Sequence, residues 1–387
     1  MANTIKQKRG TSDPGASDLV VGELAINTTD GGVFTKTDGG SVVEVGSGGG
    51  GGGASAINDL SDAVTYDSGV SVGLGTGALT NSSGTDQNNT ALGYNAGLDI
   101  TSGSTNVVLG YTAGRDITTA NGNIAIGNAL NNSAGVTGNF NVAISADSSG
   151  RKLTSGNNNV FIGTETGKNM TTGASNVFIG DNAGSGSSVT ATTNNVFIGR
   201  GAGASNTGSS GVCLGNRAGD SVTGNSNTII GNEAQYQVSL SGTNNLILGA
   251  NADASTTSVS NEITLGDSNI TTLRCNVQTI SSLSDGRDKI NVAQLGEGLN
   301  FISRLKPVKF EWKTRDGNSK DGTYEAGFIA QDLQQAQQDG DAEYLNLVMD
   351  SNPDRLEASY GKLVPVLVRA IQELKAEIDT LKANGIS

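Results

Sequence analysis

The sequence predicts a mostly β protein in which a parallel β-solenoid shaft is followed by a small α+β domain that ends in a coiled-coil helix. Glycine supplies 57 of the 387 residues without the triplet period of collagen, so many tight backbone corners are expected. One short phrase returns at nearly constant spacing between residues 70 and 267, which is typical of a solenoid. After about residue 268 glycine becomes rarer, and aromatic residues and amphipathic runs indicate a different domain.

The composition excludes several classes of function. A net charge of −13 and an isoelectric point near 4.5 argue against nucleic acid as a partner, because phosphate binding depends on clustered Lys and Arg. The chain has no histidine, and Cys213 and Cys275 are far apart, so we expect no metal, no cofactor and no Ser-His-Asp triad. No apolar run approaches membrane-spanning length, and no apolar segment follows the basic N-terminus, so neither membrane insertion nor a secretion signal is expected.

Residues 1–46 predict a small β-hairpin unit, since two β-like runs alternate with Asp-Gly-Gly turn signals at 30–32 and 38–40. The strand and turn resemble the N-terminal ends of phage tail fibres, which implies attachment to a tail or baseplate protein of the virion. An arbitrary β-hairpin is the alternative interpretation. Residues 47–69 are expected to form a flexible glycine-rich linker and the entry to the shaft.

The recurring phrase of the shaft is Asn-Val-(apolar)-Ile-Gly, as in the copies that end at Gly163, Gly180 and Gly199. Alignment on the last residue, which we call the anchor, finds twelve copies at intervals of 16 to 19 residues. So short a period predicts stacked coils of a parallel β-solenoid over residues 70–267. The anchors are Gly75, Gly93, Gly110, Gly127, Ser145, Gly163, Gly180, Gly199, Gly215, Gly231, Gly249 and Gly266.

The phrase also predicts which side chains lie inside each coil. One and three residues before the anchor the side chain is almost always aliphatic, as in Val160 and Ile162, and we expect these positions to fill the interior. Asn stands four residues before the anchor in nine coils, where it can adopt a left-handed backbone and bond the same residue one coil away. This predicts a corner ladder of Asn89, Asn106, Asn123, Asn141, Asn159, Asn176, Asn195, Asn227 and Asn245.

The position between the two aliphatic residues is expected to face outwards, yet it too is mostly apolar. Phe161, Phe178 and Phe197 occupy it in three coils, and Cys213 occupies it in a fourth. Strands that are apolar on both faces are covered on both faces, so this stripe predicts contact with another chain. The simplest partner is a copy of the same chain around a threefold axis. We expect Cys213 to be a buried small hydrophobe.

The shaft phrases resemble the head repeats of trimeric autotransporter adhesins, in both spacing and residue types. That resemblance covers most of residues 70–267. It implies a left-handed β-roll that assembles as a trimer.

Residues 268–283 are interpreted as a connector, and residues 284–387 as a separate domain. Residues 305–313 alternate like a strand, residues 327–333 look like a strand that runs into a helix, and residues 361–383 predict one long helix. Apolar residues in that helix follow the 4-3-4-3 spacing of a short coiled coil. The predicted seam consists of Leu367, Ile371, Leu374, Ile378 and Leu381.

The C-terminal domain resembles the intramolecular chaperone of endosialidase-type tailspikes and other phage fibres. Four phrases carry this resemblance in order, namely SLSDGRDKINVAQL, FISRLKPVKFEW, GFIAQDL and YGKLVPVLVRAIQELKAEI, and they cover residues 282–387. The resemblance implies autoproteolysis at the Ser-Asp-x-Arg-x-Lys motif, with Ser284 as nucleophile, Lys289 as its base, and Asp285 and Arg287 as supporting residues. The alternative is that this hexapeptide is only a polar turn between two domains.

A serine and a lysine can perform such chemistry in a chain without histidine, because a lysine whose pKa is lowered by burial can accept the serine proton. The Ser284 hydroxyl can reach the preceding carbonyl through a five-membered ring, which favours cleavage between Leu283 and Ser284. Cleavage between Ser284 and Asp285 stays open, but it requires a nucleophile from elsewhere.

These observations and resemblances together predict a homotrimeric phage tail fibre whose C-terminal chaperone cuts itself off. The receptor on the host surface is expected to be a glycan. We expect assembly in the host cytoplasm and no catalysis on external substrates. One alternative is a tailspike that degrades a surface polysaccharide, although no pair of carboxylates stands out in the repeats. A bacterial trimeric adhesin is the other alternative.

Overall fold

The computed structural model describes residues 7–29, 31–45, 63–66, 71–83, 87–131, 134–276, 280–315 and 320–385. The chain divides into two compact units, residues 1–193 and residues 194–387. The glycine run at 47–53 and the predicted turn residue Asp30 lie outside the described residues. No helix among the described residues is both long enough and apolar enough to cross a membrane.

The first unit begins with a four-stranded sheet in chain order. Strands β2, β3 and β4 are antiparallel neighbours, and β1 pairs in parallel with β2. The predicted hairpin therefore lies within a slightly larger sheet. Its strands are β1 (Gln7–Gly10), β2 (Leu24–Asn27), β3 (Val33–Lys36) and β4 (Val42–Glu44).

The rest of the first unit is a parallel β-solenoid, as predicted. Each coil contributes one short strand, and equivalent residues pair in register, as Val160 does with Val177. The first strand, β5, pairs antiparallel with β6, so the sheet starts inside the stretch assigned to the linker. The strands are β5 (Ala63–Tyr66), β6 (Ser71–Leu74), β7 (Thr90–Leu92), β8 (Val107–Leu109), β9 (Ile124–Ala129), β10 (Val142–Ser149), β11 (Val160–Ile162) and β12 (Val177–Ile179).

The second unit opens with coils of the same kind. Their strands also pair in parallel and in register, for example Cys213 with Ile229. They are β13 (Val196–Ile198), β14 (Val212–Leu214), β15 (Thr228–Ile230), β16 (Leu246–Leu248) and β17 (Ile263–Leu265).

All nine asparagines are buried inside the coils rather than at an outer corner. Their side chains bond coil to coil from Asn89 to Asn176 and again from Asn227 to Asn245, and Gly211 takes the ladder position between Asn195 and Asn227. The Asn141 side-chain oxygen accepts both the backbone and the side-chain N–H of Asn159, each at 3.0 Å. The Asn159 amide also donates to the carbonyl of Gly173 at 2.8 Å. The left-handed conformation falls one residue earlier, as at Asn158 (φ 57°), so the ladder residues keep ordinary backbone geometry.

Glycine occupies the anchor because two requirements meet there. Gly93 has φ 135°, which L residues rarely adopt, and a Cβ at this position would collide with the carbonyl of Gly110 in the next coil. Ser145, the single anchor that is not glycine, stands where β10 runs on to Ser149 and its register against β9 shifts. The exception in the sequence thus coincides with a bulge in the sheet.

The predicted trimer stripe is wrong, because its side chains point into their own coil. Phe161, Phe178 and Phe197 are fully buried within the single chain, and Cys213 is 1% exposed. Strand side chains alternate, so the central residue lies on the same side as the buried Asn two residues earlier. The Asn amides need no solvent because the ladder provides their hydrogen bonds, and this reverses the expected register.

The reversal leaves the flanking aliphatic residues on the outside. Of these 24 side chains, 22 are aliphatic and two are threonine, and none is buried. We call this set the outer aliphatic face. It consists of Val72, Leu74, Thr90, Leu92, Val107, Leu109, Ile124, Ile126, Val142, Ile144, Val160 and Ile162 with Val177 and Ile179 in the first unit, and of Val196, Ile198, Val212, Leu214, Thr228, Ile230, Leu246, Leu248, Ile263 and Leu265 in the second.

The C-terminal part of the second unit is a small α+β arrangement, as predicted. Its buried core brings together side chains from all along residues 301–366, among them Phe301, Leu333, Leu347 and Val366. Strands β18 and β19 pair antiparallel, as do β20 and β21. The elements are α1 (Leu299–Ile302), β18 (Val308–Glu311), β19 (Tyr324–Gly327), α2 (Ala330–Asp339), β20 (Val348–Met349), β21 (Glu357–Ala358) and α3 (Val364–Ala383).

Asn159→Ala should lower the free energy of unfolding by about 1–3 kcal/mol, because it leaves the Gly173 carbonyl and the Asn176 N–H groups without their ladder partner in a buried site. Thermal unfolding followed by circular dichroism measures this change. The matched control is Asn232→Ala at an exposed position, which should change the value by less than about 0.5 kcal/mol. Equal effects of the two substitutions would show that the ladder does not stabilise the coils.

Candidate processing site

Ser284 lies in an extended, solvent-exposed segment between the last coil and α1. Leu283 is 96% exposed, and Ile290 and Val292 are also largely exposed. The only regular structure between β17 and α1 in the described residues is a 3-10 turn, Gly286–Asp288. The turn is short, yet it determines where the following side chains point.

The turn is held at both ends. Asp285 stands immediately before it and accepts the backbone N–H of Arg287 at 2.9 Å. The Arg287 guanidinium binds the same carboxylate, with Nε 3.1 Å from each oxygen. Lys289 follows the turn, and its backbone N–H donates to the carbonyl of Gly286 at 3.3 Å.

This turn folds the chain back so that Lys289 reaches Ser284. The Lys289 Nζ lies 2.6 Å from the Ser284 Oγ and 3.1 Å from the Ser284 carbonyl oxygen. As an ammonium the group donates to both oxygens, whereas a neutral amine at the same place accepts the hydroxyl proton. The two residues that the motif singles out are therefore in direct contact.

Asp285 and Arg287 form a charge pair that supports the turn. The hydrogen bonds from the Arg287 side chain, followed by that from its backbone, lower the pKa of Asp285 below its ordinary value. The same pair raises the pKa of Arg287. Because Asp285 binds both the backbone and the guanidinium of Arg287, these two residues hold the shape of the turn.

The burial expected for the lysine is absent in the single chain. Both Ser284 and Lys289 are exposed, so water reaches both functional groups. Leu283, Ile290 and Val292, which flank the pair in sequence, are apolar side chains exposed to solvent. The contact between the two residues exists, but the water-excluding environment does not.

The predicted coiled-coil residues lie far along the chain, on one face of α3. Leu367, Ile371, Leu374, Ile378 and Leu381 are 41–65% exposed, whereas Val366 and Ala370 on another face are buried. Glu373 anchors the helix to the domain, since its carboxylate accepts the backbone N–H of Leu299 at 2.7 Å and pairs with Arg369 at 2.8 Å. The helix thus has a packed side and a separate apolar stripe.

Sequence reasoning missed the outer aliphatic face as a surface. The signal was present, because its two columns are more uniformly aliphatic than the central column, which mixes Gly, Ala, Val, Cys and Phe. Such mixing of sizes is typical of a packed interior, where neighbours must fit together.

Among the described residues no group of three acidic, cysteine or histidine side chains is placed to bind a metal ion.

Residues 284–341 match the family model described as chaperone of endosialidase, and the match begins at Ser284 itself. Comparisons with curated proteins and with solved structures find no significant match.

Arg287→Ala should raise the pKa of Asp285 towards the value of an unperturbed aspartate, since the guanidinium supplies the main cause of its lowering. The pair of Asp285 with Arg287 is lost as pH falls through the lowered pKa of Asp285. The turn should therefore persist to lower pH in the unmutated chain than in the Arg287→Ala variant. Carboxyl carbon chemical shifts measured against pH report both effects. Lys306→Ala, which removes a cation remote in sequence, serves as control, and identical Asp285 titrations in all three proteins would contradict the assignment.

Proposed function

We propose that this protein is a homotrimeric phage tail fibre, assembled in the host cytoplasm, whose C-terminal chaperone domain cuts itself from the shaft at Ser284. One observation carries the proposal: the chaperone-of-endosialidase match begins at Ser284, and Lys289 lies 2.6 Å from the hydroxyl of that residue. Residues 1–46 would attach the fibre to a tail or baseplate protein, and the shaft would bind a glycan on the host surface.

The proposed cleavage is an acyl shift followed by hydrolysis. Lys289 Nζ takes the Ser284 hydroxyl proton as the oxygen attacks the Leu283 carbonyl carbon. The bond from that carbon to the Ser284 nitrogen breaks, the nitrogen is protonated, and an ester joins Leu283 to the Ser284 side chain. Water then hydrolyses the ester, which frees the Leu283 carboxylate and restores the serine hydroxyl.

Assembly would complete this site. General-base catalysis by lysine requires the neutral amine, which removal from water favours. In the single chain the exposed Leu283, Ile290 and Val292 flank the pair in sequence, and association of three such segments would cover them together with Ser284 and Lys289. Cleavage would then follow assembly and not precede it.

The outer aliphatic face supports self-association of the shaft. In the first unit alone it spans seven coils, or roughly 30 Å at the usual spacing between strands. Most of these side chains are half-buried and Leu92 is 48% exposed, and partly exposed apolar surface of this extent is typical of an interaction surface. A repeated, regular face fits best against a copy with the same repeat, because coil then meets coil.

The apolar stripe on α3 supports a role for the C-terminal domain in starting that assembly. Coils that resemble one another allow chains to associate out of register by a whole coil. Three α3 helices joined along the seam from Leu367 to Leu381 would align the three chains at their C-terminal ends before the coils of the shaft associate. Removing the domain afterwards would take away the route by which the chains came together. The trimer would then be kinetically trapped, and it would unfold slowly.

The unmutated protein should yield two fragments, residues 1–283 and 284–387, whose masses identify the cleaved bond. Ser284→Ala and Lys289→Met should each leave only the full chain, whereas the neighbouring Ser282→Ala should cleave normally. Denaturing electrophoresis with intact-mass measurement decides the matter. Full-length chain alone from the unmutated protein, folded natively, would overturn self-cleavage, and cleavage of Lys289→Met at the same rate would exclude the lysine as base.

Replacing Ile162 and Ile179 together by Asp should prevent or weaken trimer formation by the shaft, because it puts charges into the proposed contact. Light scattering should give three times the chain mass for the unmutated protein and a smaller assembly, or a lower unfolding temperature, for the variant. Thr164→Asp adds a charge at an exposed position outside the face and should change neither. A monomeric unmutated protein would overturn the trimer.

A further inference from the structure

Two exposed tyrosines stack on adjacent coils of the first unit. Tyr94 and Tyr111 each follow an anchor glycine directly, their ring centroids are 5.5 Å apart, and their planes differ by 12°. Tyr94 is 49% exposed and Tyr111 is 67% exposed. A stacked pair of this kind offers a flat apolar surface with polar hydroxyl groups at its rim.

The repeat supplies its own comparison for this position. In the ten other coils the residue after the anchor is small, polar or charged, so a coil folds without an aromatic ring there. The coils on either side of the pair place Thr76 and Asn128 at this position. Neither has an aromatic ring, so the stack consists of two rings. The equivalent residues are Thr76, Asn128, Ala146, Thr164, Asp181, Arg200, Asn216, Asn232, Ala250 and Asp267.

Charged groups around Arg115 lie near Tyr111, and we call them the border of the ring pair. The Arg115 guanidinium pairs with Asp116 through two contacts of 3.0 Å. Asp116 is the main cause of the raised pKa of Arg115, and Asp99 and Tyr111 lie close enough to add to it. Asp99 accepts a hydrogen bond from Asn81 at 3.2 Å. Two carboxylates and one guanidinium leave this border with a net negative charge.

We propose that Tyr94 and Tyr111 form a binding platform for a neutral saccharide of a cell-surface glycan, with Arg115 and Asp99 binding its hydroxyl groups. The C–H face of a hexose packs against aromatic rings, and its hydroxyl pairs match carboxylate and guanidinium groups. The negative border favours a neutral hexose or N-acetylhexosamine over an acidic sugar. This inference rests on the proposed host-recognition function and assigns it to a place on the shaft.

The variant that tests the platform carries Tyr94→Thr and Tyr111→Asn together, which are the residues that the adjacent coils place at this position. Its control is Phe140→Asn. Phe140 is 60% exposed on the same unit, and Asn occupies its position in other coils, for example Asn158. Binding of the full-length protein and of each variant to immobilised neutral glycans (mannan, galactan and chitin oligosaccharides) and to acidic glycans (polysialic and polygalacturonic acids) is then measured.

The unmutated protein and Phe140→Asn should bind at least one neutral glycan equally, and the double variant should bind it at least about tenfold more weakly. Equal binding by the double variant would overturn the platform while leaving glycan recognition elsewhere on the fibre intact. Binding only to acidic glycans, or to none in the panel, would also overturn it. A double variant that loses its trimeric state would show that the rings belong to a contact between chains. None of these outcomes touches self-cleavage, which is tested separately.

Discussion

A column of buried asparagine amides is the constraint on which the rest of the shaft depends. Each side-chain oxygen accepts N–H groups from the next coil, and each side-chain amide donates to a carbonyl further along the chain, as Asn141 and Asn159 do. Because the amides point inwards, alternation along the strand sends the central residue inwards too and turns both flanking aliphatic residues outwards. The polar ladder inside therefore accounts for the apolar surface outside, and that surface supports the proposed association of chains.

The period of the repeat was enough to predict the parallel coils, the anchor glycines and the existence of the asparagine ladder. It did not predict which side faces inwards, because Val160, Phe161 and Ile162 are all apolar and hydrophobicity alone does not distinguish the two faces of such a strand. Assigning the interior to the two most uniformly aliphatic positions decided the question wrongly. Burial of an amide is stable when neighbouring coils supply its partners, and such partners become visible only when the coils are stacked.

The candidate site likewise combines a contact that a short segment determines with a burial that such a segment does not determine. The contact of Lys289 with Ser284 depends on a turn of a few residues, with Asp285 and Arg287 as its supports, so a short motif was sufficient to indicate it. Burial of the same lysine depends on what covers Leu283 and Ile290, and a single chain does not contain that cover. Local hydrogen bonding is encoded within six residues, whereas desolvation would need cover from outside the single chain, such as the proposed trimer would supply.

The in-register stacking of coils bears on how solenoids of this kind vary in length. Each coil carries its own asparagine, anchor and pair of outer aliphatic residues, and it contacts mainly its immediate neighbours. A gene duplication or deletion that spans one whole period would join equivalent positions and preserve both the inner ladder and the outer surface. An insertion within the repeated phrase itself would break both at once. Selection for a longer or shorter solenoid can thus act in steps of one coil, while the N-terminal sheet and the C-terminal domain stay unchanged.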